Sequence, residues 1–309
     1  MDEGDTPERS PNAVRVVMNT GEFWIETLIR VLGYAAVGLV TLIFLYLLSE
    51  GIPLFGKVPP GNLFATKWYP TFGFFGVLPL VAGSLLVTLA AMLLAFPLGV
   101  GTAVFVREVA PNWAREILKP TIEVLAGIPS VVLGFFGMVV LAPMVRETLG
   151  APTGLTALTA ALILAYMSLP TIISVAEDAL DAVPKGYRDA ALAMGATRWQ
   201  TIWRVVVPAG RSGIFMALML GMGRAVGETM AVMMVTGNAA RMPSGLRALL
   251  MPVRTMTATI AAEMGEVAQG STHYHALFGI ALILFIVTFL INLVVTPMLS
   301  QKSSRGGLR

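Results

Sequence analysis

Apolar positions run through this chain in six long blocks, approximately 32–48, 74–106, 122–144, 155–176, 212–237 and 275–299, separated by stretches rich in proline, glycine and charge. Each block predicts a helix of the roughly 17–25 residues that cross about 30 Å of hydrocarbon, and the second is long enough to tilt, kink or extend past it. The polar opening MDEGDTPERSPNAVRVVMNTGEF carries acids and leads to no small-residue cleavage site, so it is expected to be a retained tail, not a removed signal. The pattern therefore divides the chain into a tail (1–27), a first spanning helix with its outer loop (28–73), a core (74–299) and a short second tail (300–309).

Charge gives this pattern a direction. With the N-terminus inside, fourteen of the 21 Lys and Arg residues fall in the tails and inner connections, six fall in outer loops, and Arg224 lies within a span. Basic residues accumulate on the cytoplasmic side of membrane proteins, so both termini are expected to be cytoplasmic. Composition agrees: 56% of residues are hydrophobic and 13% charged, against roughly 25% charged in ordinary soluble domains. The scattered bases leave no stripe suited to nucleic acid.

The longest inner connection, VPKGYRDAALAMGATRWQTIWRVVVPAGRSG (183–213), has dense local signals. Pro184 suits the first position of a helix through Tyr187–Met194, and Gly195 is placed to end it in a left-handed conformation. Thr197 and Gln200 form a capping-box pair that starts a second helix over Arg198–Val207, which Pro208 is expected to close. On these grounds alone the element is either a connector packed on the inner ends of the spans or a docking element, with Leu192, Ile202 and Val206 available to a partner.

Catalytic chemistry finds little support. Without cysteine there are no disulfides, thiol nucleophiles or zinc-thiolate sites. GIPLFGKV (51–58) has Gly51, Gly56 and Lys57 at phosphate-loop spacing, but Val58 replaces the required Ser or Thr, no strand precedes it, and it falls in an outer loop. Gly221, Gly223 and Gly227 miss the dinucleotide pattern by one position. His273-Tyr274-His275 has no carboxylate or thiol nearby in sequence and reads as polar loop residues at a membrane boundary, with no metal expected.

Within the spans, three prolines, Pro97, Pro129 and Pro170, interrupt helical runs. Broken membrane helices are tolerated where protein or a water-lined cavity satisfies the freed backbone groups, although a single proline is equally compatible with an ordinary kink. In GMGRAVGETMAV (221–232), Arg224 and Glu228 are one helical turn apart and should share a face, with Gly223 and Gly227 on an adjoining strip. Either ion alone would cost roughly 2.5–3.5 kcal/mol at mid-bilayer on insertion scales, so both should face protein, water or each other. A planar guanidinium suits an oxyanion, and a neighbouring carboxylate would hold it until substrate arrives. Arg224, Glu228 and the adjacent Thr229 are the candidate substrate-pathway residues; a purely structural clamp is the alternative.

DAALAMGATRWQTIWRVVVP resembles the EAA loop of ABC-importer permeases, with Asp189, Ala190, Ala191, Gly195, Val205, Val207 and Pro208 in the motif positions and Asp standing for the usual Glu. The resemblance implies a type I ABC-importer permease fold (MetI-like), an all-α polytopic membrane protein of six transmembrane helices, in which Asp189, Ala190, Ala191, Gly195, Ala196 and Thr197 dock on a cytoplasmic ATPase. GRAVGETMAVMMVTGN, PLGVGTAVFVREVAP, IEVLAGIPSVVLGFFG and TIAAEMGEVAQGSTHYHALFGIALILFIVTFLINLV are similar to segments of the PstC family of phosphate-importer permeases; the sister PstA family lacks the ETMAV continuation. That likeness implies a bacterial inner-membrane location and a heterodimer with a PstA-like subunit. It also implies two copies of a PstB-like ATPase, which uses ATP and Mg that this chain does not bind, and a PstS-like phosphate-binding protein. A permease for molybdate or phosphonate, or a membrane signalling or scaffold subunit that passes no solute, are the competing expectations.

Overall fold

In lipid a backbone amide finds no partner except within its own helix or a closed barrel, so apolar blocks of this length fold as helices. The computed structural model describes residues 20–303 and is helical nearly throughout. It divides into two units, Met1–Tyr46 and Leu47–Arg309. The described part of the first belongs to helix α1 (Thr20–Gly51). Of the segments read as tails, residues 1–19 and 304–309 lie outside the described residues; α1 begins within the first and the last helix ends at Ser303 within the second.

In the second unit, short helices α2 (Pro53–Lys57) and α3 (Pro60–Leu63) lead into a hairpin in which β1 (Trp68–Tyr69) pairs antiparallel with β2 (Phe74–Phe75). Then come α4 (Leu78–Val104), α5 (Asn112–Ala126), α6 (Ser130–Phe136), α7 (Ala142–Leu149) and α8 (Ala157–Asp181). The chain continues through α9 (Lys185–Ala193), α10 (Arg198–Thr201), α11 (Val207–Gly227), α12 (Met230–Val235), α13 (Met256–Glu263) and α14 (Thr272–Ser303). Wider π turns at Phe105–Val109, Gly137–Leu141 and Ile202–Val206 extend α4, join α6 to α7 and join α10 to α11.

Six helical stretches among the described residues are long and apolar enough to cross a membrane: Trp24–Lys57, Leu78–Val109, Ser130–Leu149, Ala157–Asp181, Arg198–Gly227 and Thr272–Leu293. Several boundaries move from the sequence expectation, two of them at prolines. The third block begins inside α5, and the span proper starts only at Ser130, because Pro129 biases Ile128 away from helical geometry. The fifth starts earlier: the helix does not stop at Pro208. Val207 N–H bonds back to the Ile202 carbonyl, five residues away, and this widened turn lets the chain pass a proline that has no N–H to give.

Helix α8 is the centre of the bundle and packs chiefly on α4 and α11. Lipid tails are as apolar as leucine, so close backbone approach rather than hydrophobic expulsion holds such helices together. Fully buried Ile172 shows how: a Cβ on Gly99 of α4 would lie 2.6 Å from its Cγ2, and one on Gly221 of α11 would lie 2.6 Å from its Cγ1. Both neighbours fit only as glycine. A second cluster at the opposite end from α9 gathers Trp68, Leu80, Met256, Leu277 and Ile280.

Candidate functional site

The fifth apolar block is broken where sequence periodicity expects continuity. α11 ends at Gly227, Glu228 is extended (φ −68°, ψ 128°), and α12 starts at Met230. Arg224 and Glu228 therefore do not share one helix face, and among the described residues no ion pair joins them. Each charge instead meets a helix end of the favourable sign. Arg224 sits in the last turn of α11, while the Glu228 carboxylate (Oε1) accepts from the Ala231 N–H of α12 at 3.3 Å. Arg224 Nη1 donates across to Thr171 Oγ1 of α8 at 3.2 Å. The Glu228 carbonyl accepts from Thr257 Oγ1 of α13 at 3.1 Å, and Thr229 Oγ1 donates to the Gly227 carbonyl at 3.2 Å.

The Arg224 side is open. Its residue is exposed, and a Cβ on Gly223 or Gly227 would meet nothing within 4 Å. The break thus presents a guanidinium beside bare backbone on one side of the bundle, backed by hydroxyls from α8 and α13. Thr171 and Thr257 carry no sequence signal that would find them, since their roles arise only from packing. Of the three prolines, Pro129 separates α5 from α6, whereas α4 and α8 run continuously through Pro97 and Pro170. Thr171 follows Pro170 directly.

At the α9 end the sequence-predicted loop geometry is present in detail. Met194 caps α9, Gly195 has φ +85°, and the bonds Ala196 N–H to Ala191 C=O (3.1 Å) and Gly195 N–H to Leu192 C=O (2.9 Å) make a Schellman close. Gln200 N–H donates to Thr197 Oγ1 at 3.3 Å and Thr197 N–H to Gln200 Oε1 at 2.9 Å, a complete capping box. No residue of α9 is buried; Asp189 and Ala190 are exposed, as are Gly195 and Thr197, with Ala191 and Ala196 half-buried. Ile202 and Val206, expected to be free for a partner, are instead buried against the bundle, while Leu192 is exposed.

Ion pairs between distant residues gather at this end: Arg107 with Asp181, Lys119 with Glu177 at 3.5 Å, and Arg188 with Glu108 at 2.6 Å. The guanidinium of Arg115 covers the carbonyls of Val106 (3.1 Å) and Arg107 (2.6 Å), which the helix end leaves unpaired.

At the opposite end the structure corrects the reading of the two histidines. The stretch 238–274 holds a buried helix, α13, capped by Thr255 and tied to α4 by the Met256 N–H to Ser84 Oγ bond at 2.9 Å. Glu263 at its end accepts from Arg254 (2.7 Å), from Trp68 Nε1 (3.2 Å), and meets His273 Nε2 at 2.7 Å. His273 and His275 are not loop residues: they lie in the first turn of α14, and His275 Nδ1 faces the Glu50 carbonyl at 2.8 Å. Arg254 is bound in this hub, while Arg241 and Arg247 remain exposed. The segment with phosphate-loop spacing is helical, and Lys57 donates to the Gly270 carbonyl at 3.0 Å. Among the described residues no group of three His, Asp or Glu is placed to hold a metal ion.

Residues 95–300 match the family described as the binding-protein-dependent transport system inner membrane component, and the chain belongs to that family. It is 40% identical over 249 residues to the probable ABC transporter permease protein YqgH of Bacillus subtilis, covering 80% of each chain. Similarity to the phosphate transport system permease protein PstC is 39% over 264 residues in Mesorhizobium japonicum (79% of this chain, 80% of that one) and 32% over 277 residues in Haemophilus influenzae (84% and 85%). The fold matches the inward-facing MetNI methionine ABC transporter (TM-score 0.57, 20% identity, 76% of this chain and 99% of that one). It also matches an alginate ABC transporter solved with its periplasmic protein (TM-score 0.55, 17%, 89% and 96%). The protein is therefore a multi-pass inner-membrane permease of an ABC importer, and it works with an ATPase and a substrate-binding protein.

Proposed function

We propose that this chain is the PstC-type permease subunit of an importer of inorganic phosphate, with Arg224 at the break in the fifth span as the group that meets the anion. The observation that carries this is the open guanidinium itself. It is paired with a hydroxyl, not a carboxylate, so its charge is available to an oxyanion without first breaking an ion pair. Glu228 and Thr229 shape the break, Glu228 by capping α12. The partners in this reading are a PstA-like permease across the open face, two PstB-like ATPases that use ATP and Mg and take the exposed surface Asp189–Thr197, and a PstS-like protein delivering phosphate on the opposite side. Both termini and α9 lie in the cytoplasm. ATP-driven movement of the loop alternates access to the break.

The test is reconstitution of the four-component complex in vesicles, comparing uptake of phosphate, molybdate and a phosphonate at matched concentrations of loaded binding protein. Phosphate uptake that depends on ATP and falls with Arg224→Lys is the expected result. Preferential molybdate or phosphonate uptake would reassign the substrate. If loaded binding protein failed to stimulate the ATPase and no solute crossed, the signalling alternative would replace this reading.

A further inference from the structure

We infer that Arg188 and Glu108 are positioning residues that transmit movement of the Asp189–Thr197 loop to the transmembrane helices; this rests on the proposed docking role of that loop. Arg188 lies on α9, immediately before Asp189. Its guanidinium reaches out of the loop and engages two helices at once. Nη2 donates to Glu108 Oε1 at 2.6 Å and Nε faces Oε2 at 3.3 Å, a two-pronged grip on the π turn that extends α4. Nη2 also donates to the Leu180 carbonyl at 2.9 Å, in the last turn of α8, and Nη1 to the Val183 carbonyl at 2.6 Å, just past the end of that helix.

The burial pattern makes this grip a specific attachment. The Arg188 and Glu108 side chains are only 17% and 11% exposed, while α9 around them buries no residue at all. Beside its packing on α10 and the π turn that follows it in sequence, α9 is tied to α4 and α8 by this side chain. A partner that displaces α9 pulls on Arg188 and, through it, on both helices. A planar fork with several bonds resists rotation as well as separation, which a single ammonium contact does not.

What lies beyond the attachment gives it a consequence. α8 carries Thr171, the acceptor for Arg224, and its Ile172 is clasped by glycines of α4 and α11. The chain of contact from loop to anion site is therefore α9, Arg188, the α8 end, Thr171 and Arg224, with Glu108 bringing α4 along. The neighbouring pairs Arg107 with Asp181 and Lys119 with Glu177 brace α8 against the α4 extension and α5 without touching α9, so they have no part in this link.

The experiment uses the complete reconstituted complex, with inorganic phosphate as the probe, and measures phosphate uptake and ATP hydrolysis in the same vesicles. In Arg188→Gln and in Glu108→Gln the ATPase should still co-purify and hydrolyse, but phosphate moved per ATP should fall about tenfold, within the usual range of coupling between sites. Arg188→Lys, which keeps the charge and loses the fork, should fall by roughly threefold and is the variant that decides should the glutamine forms fail to accumulate. An unchanged ratio of uptake to hydrolysis in these variants would overturn the link, as would a parallel loss of both activities together with loss of the ATPase from the complex. The docking premise is tested separately by Gly195→Pro: if that variant retained the ATPase and coupled uptake, the loop would not be the docking surface, whatever Arg188 does.

Discussion

Arg224 donates to Thr171 across the gap between α11 and α8 and makes no ion pair with Glu228, four positions away in its own chain. The reason is the helix break at Glu228, which turns the carboxylate toward α12. A hydroxyl partner orients a guanidinium without neutralising it, and that distinction has a measurable outcome. Thr171→Val keeps the shape and removes the acceptor, so phosphate uptake should fall by about fivefold, the equivalent of about 1 kcal/mol. Thr171→Ser should restore most of it. Uptake in vesicles at saturating and limiting loaded binding protein is the measurement, and equal activity of the valine and serine forms would remove Thr171 from the site.

Glu228 has two separable jobs, capping α12 and carrying charge. Glu228→Gln retains a carbonyl oxygen for the Ala231 N–H, whereas Glu228→Ala does not. The alanine form should be less stable by about 1 kcal/mol, as for other lost caps, seen as a lower unfolding midpoint of the detergent-purified complex. If the charge matters to transport, the glutamine form should keep near-normal stability and still lose uptake. Full activity of Glu228→Gln would reduce the residue to a cap.

The elements that sequence made legible are those decided locally. Gly195, Thr197 and Gln200 specify their turn and cap through bonds to near neighbours, and the structure reproduces each of them. The six spans are legible because length and apolarity alone set them. The break at Glu228 was not, since the carbonyl it frees is met by Thr257 from another helix, a partner that no local spacing reveals. Pro208 shows the converse: a local stop signal is bypassed by the π turn before it, in which the Val207 N–H bonds to the Ile202 carbonyl. Ties such as Arg188 to Glu108 and Trp68 to Glu263 join residues far apart in sequence and leave no spacing to read.

Glu263 offers the sharpest test of the opposite end. It meets Arg254, His273 and the Trp68 indole from three separate segments, at 16% exposure of its own side chain. The Arg254 backbone is itself pressed on α4, where a Cβ on Gly83 would come within 2.3 Å of its carbonyl oxygen. Glu263→Gln leaves a largely buried guanidinium without its counter-ion, and breaking such a pair on one side costs about 3 kcal/mol. Arg254→Gln should cost a similar amount. The double variant should be less damaging than the sum of the two, because the second substitution removes the charge that the first leaves unpaired. Thermal unfolding of the purified complex measures all three. Additive losses would mean that Glu263 and Arg254 contribute independently, and that the hub is held by Trp68 and His273 instead.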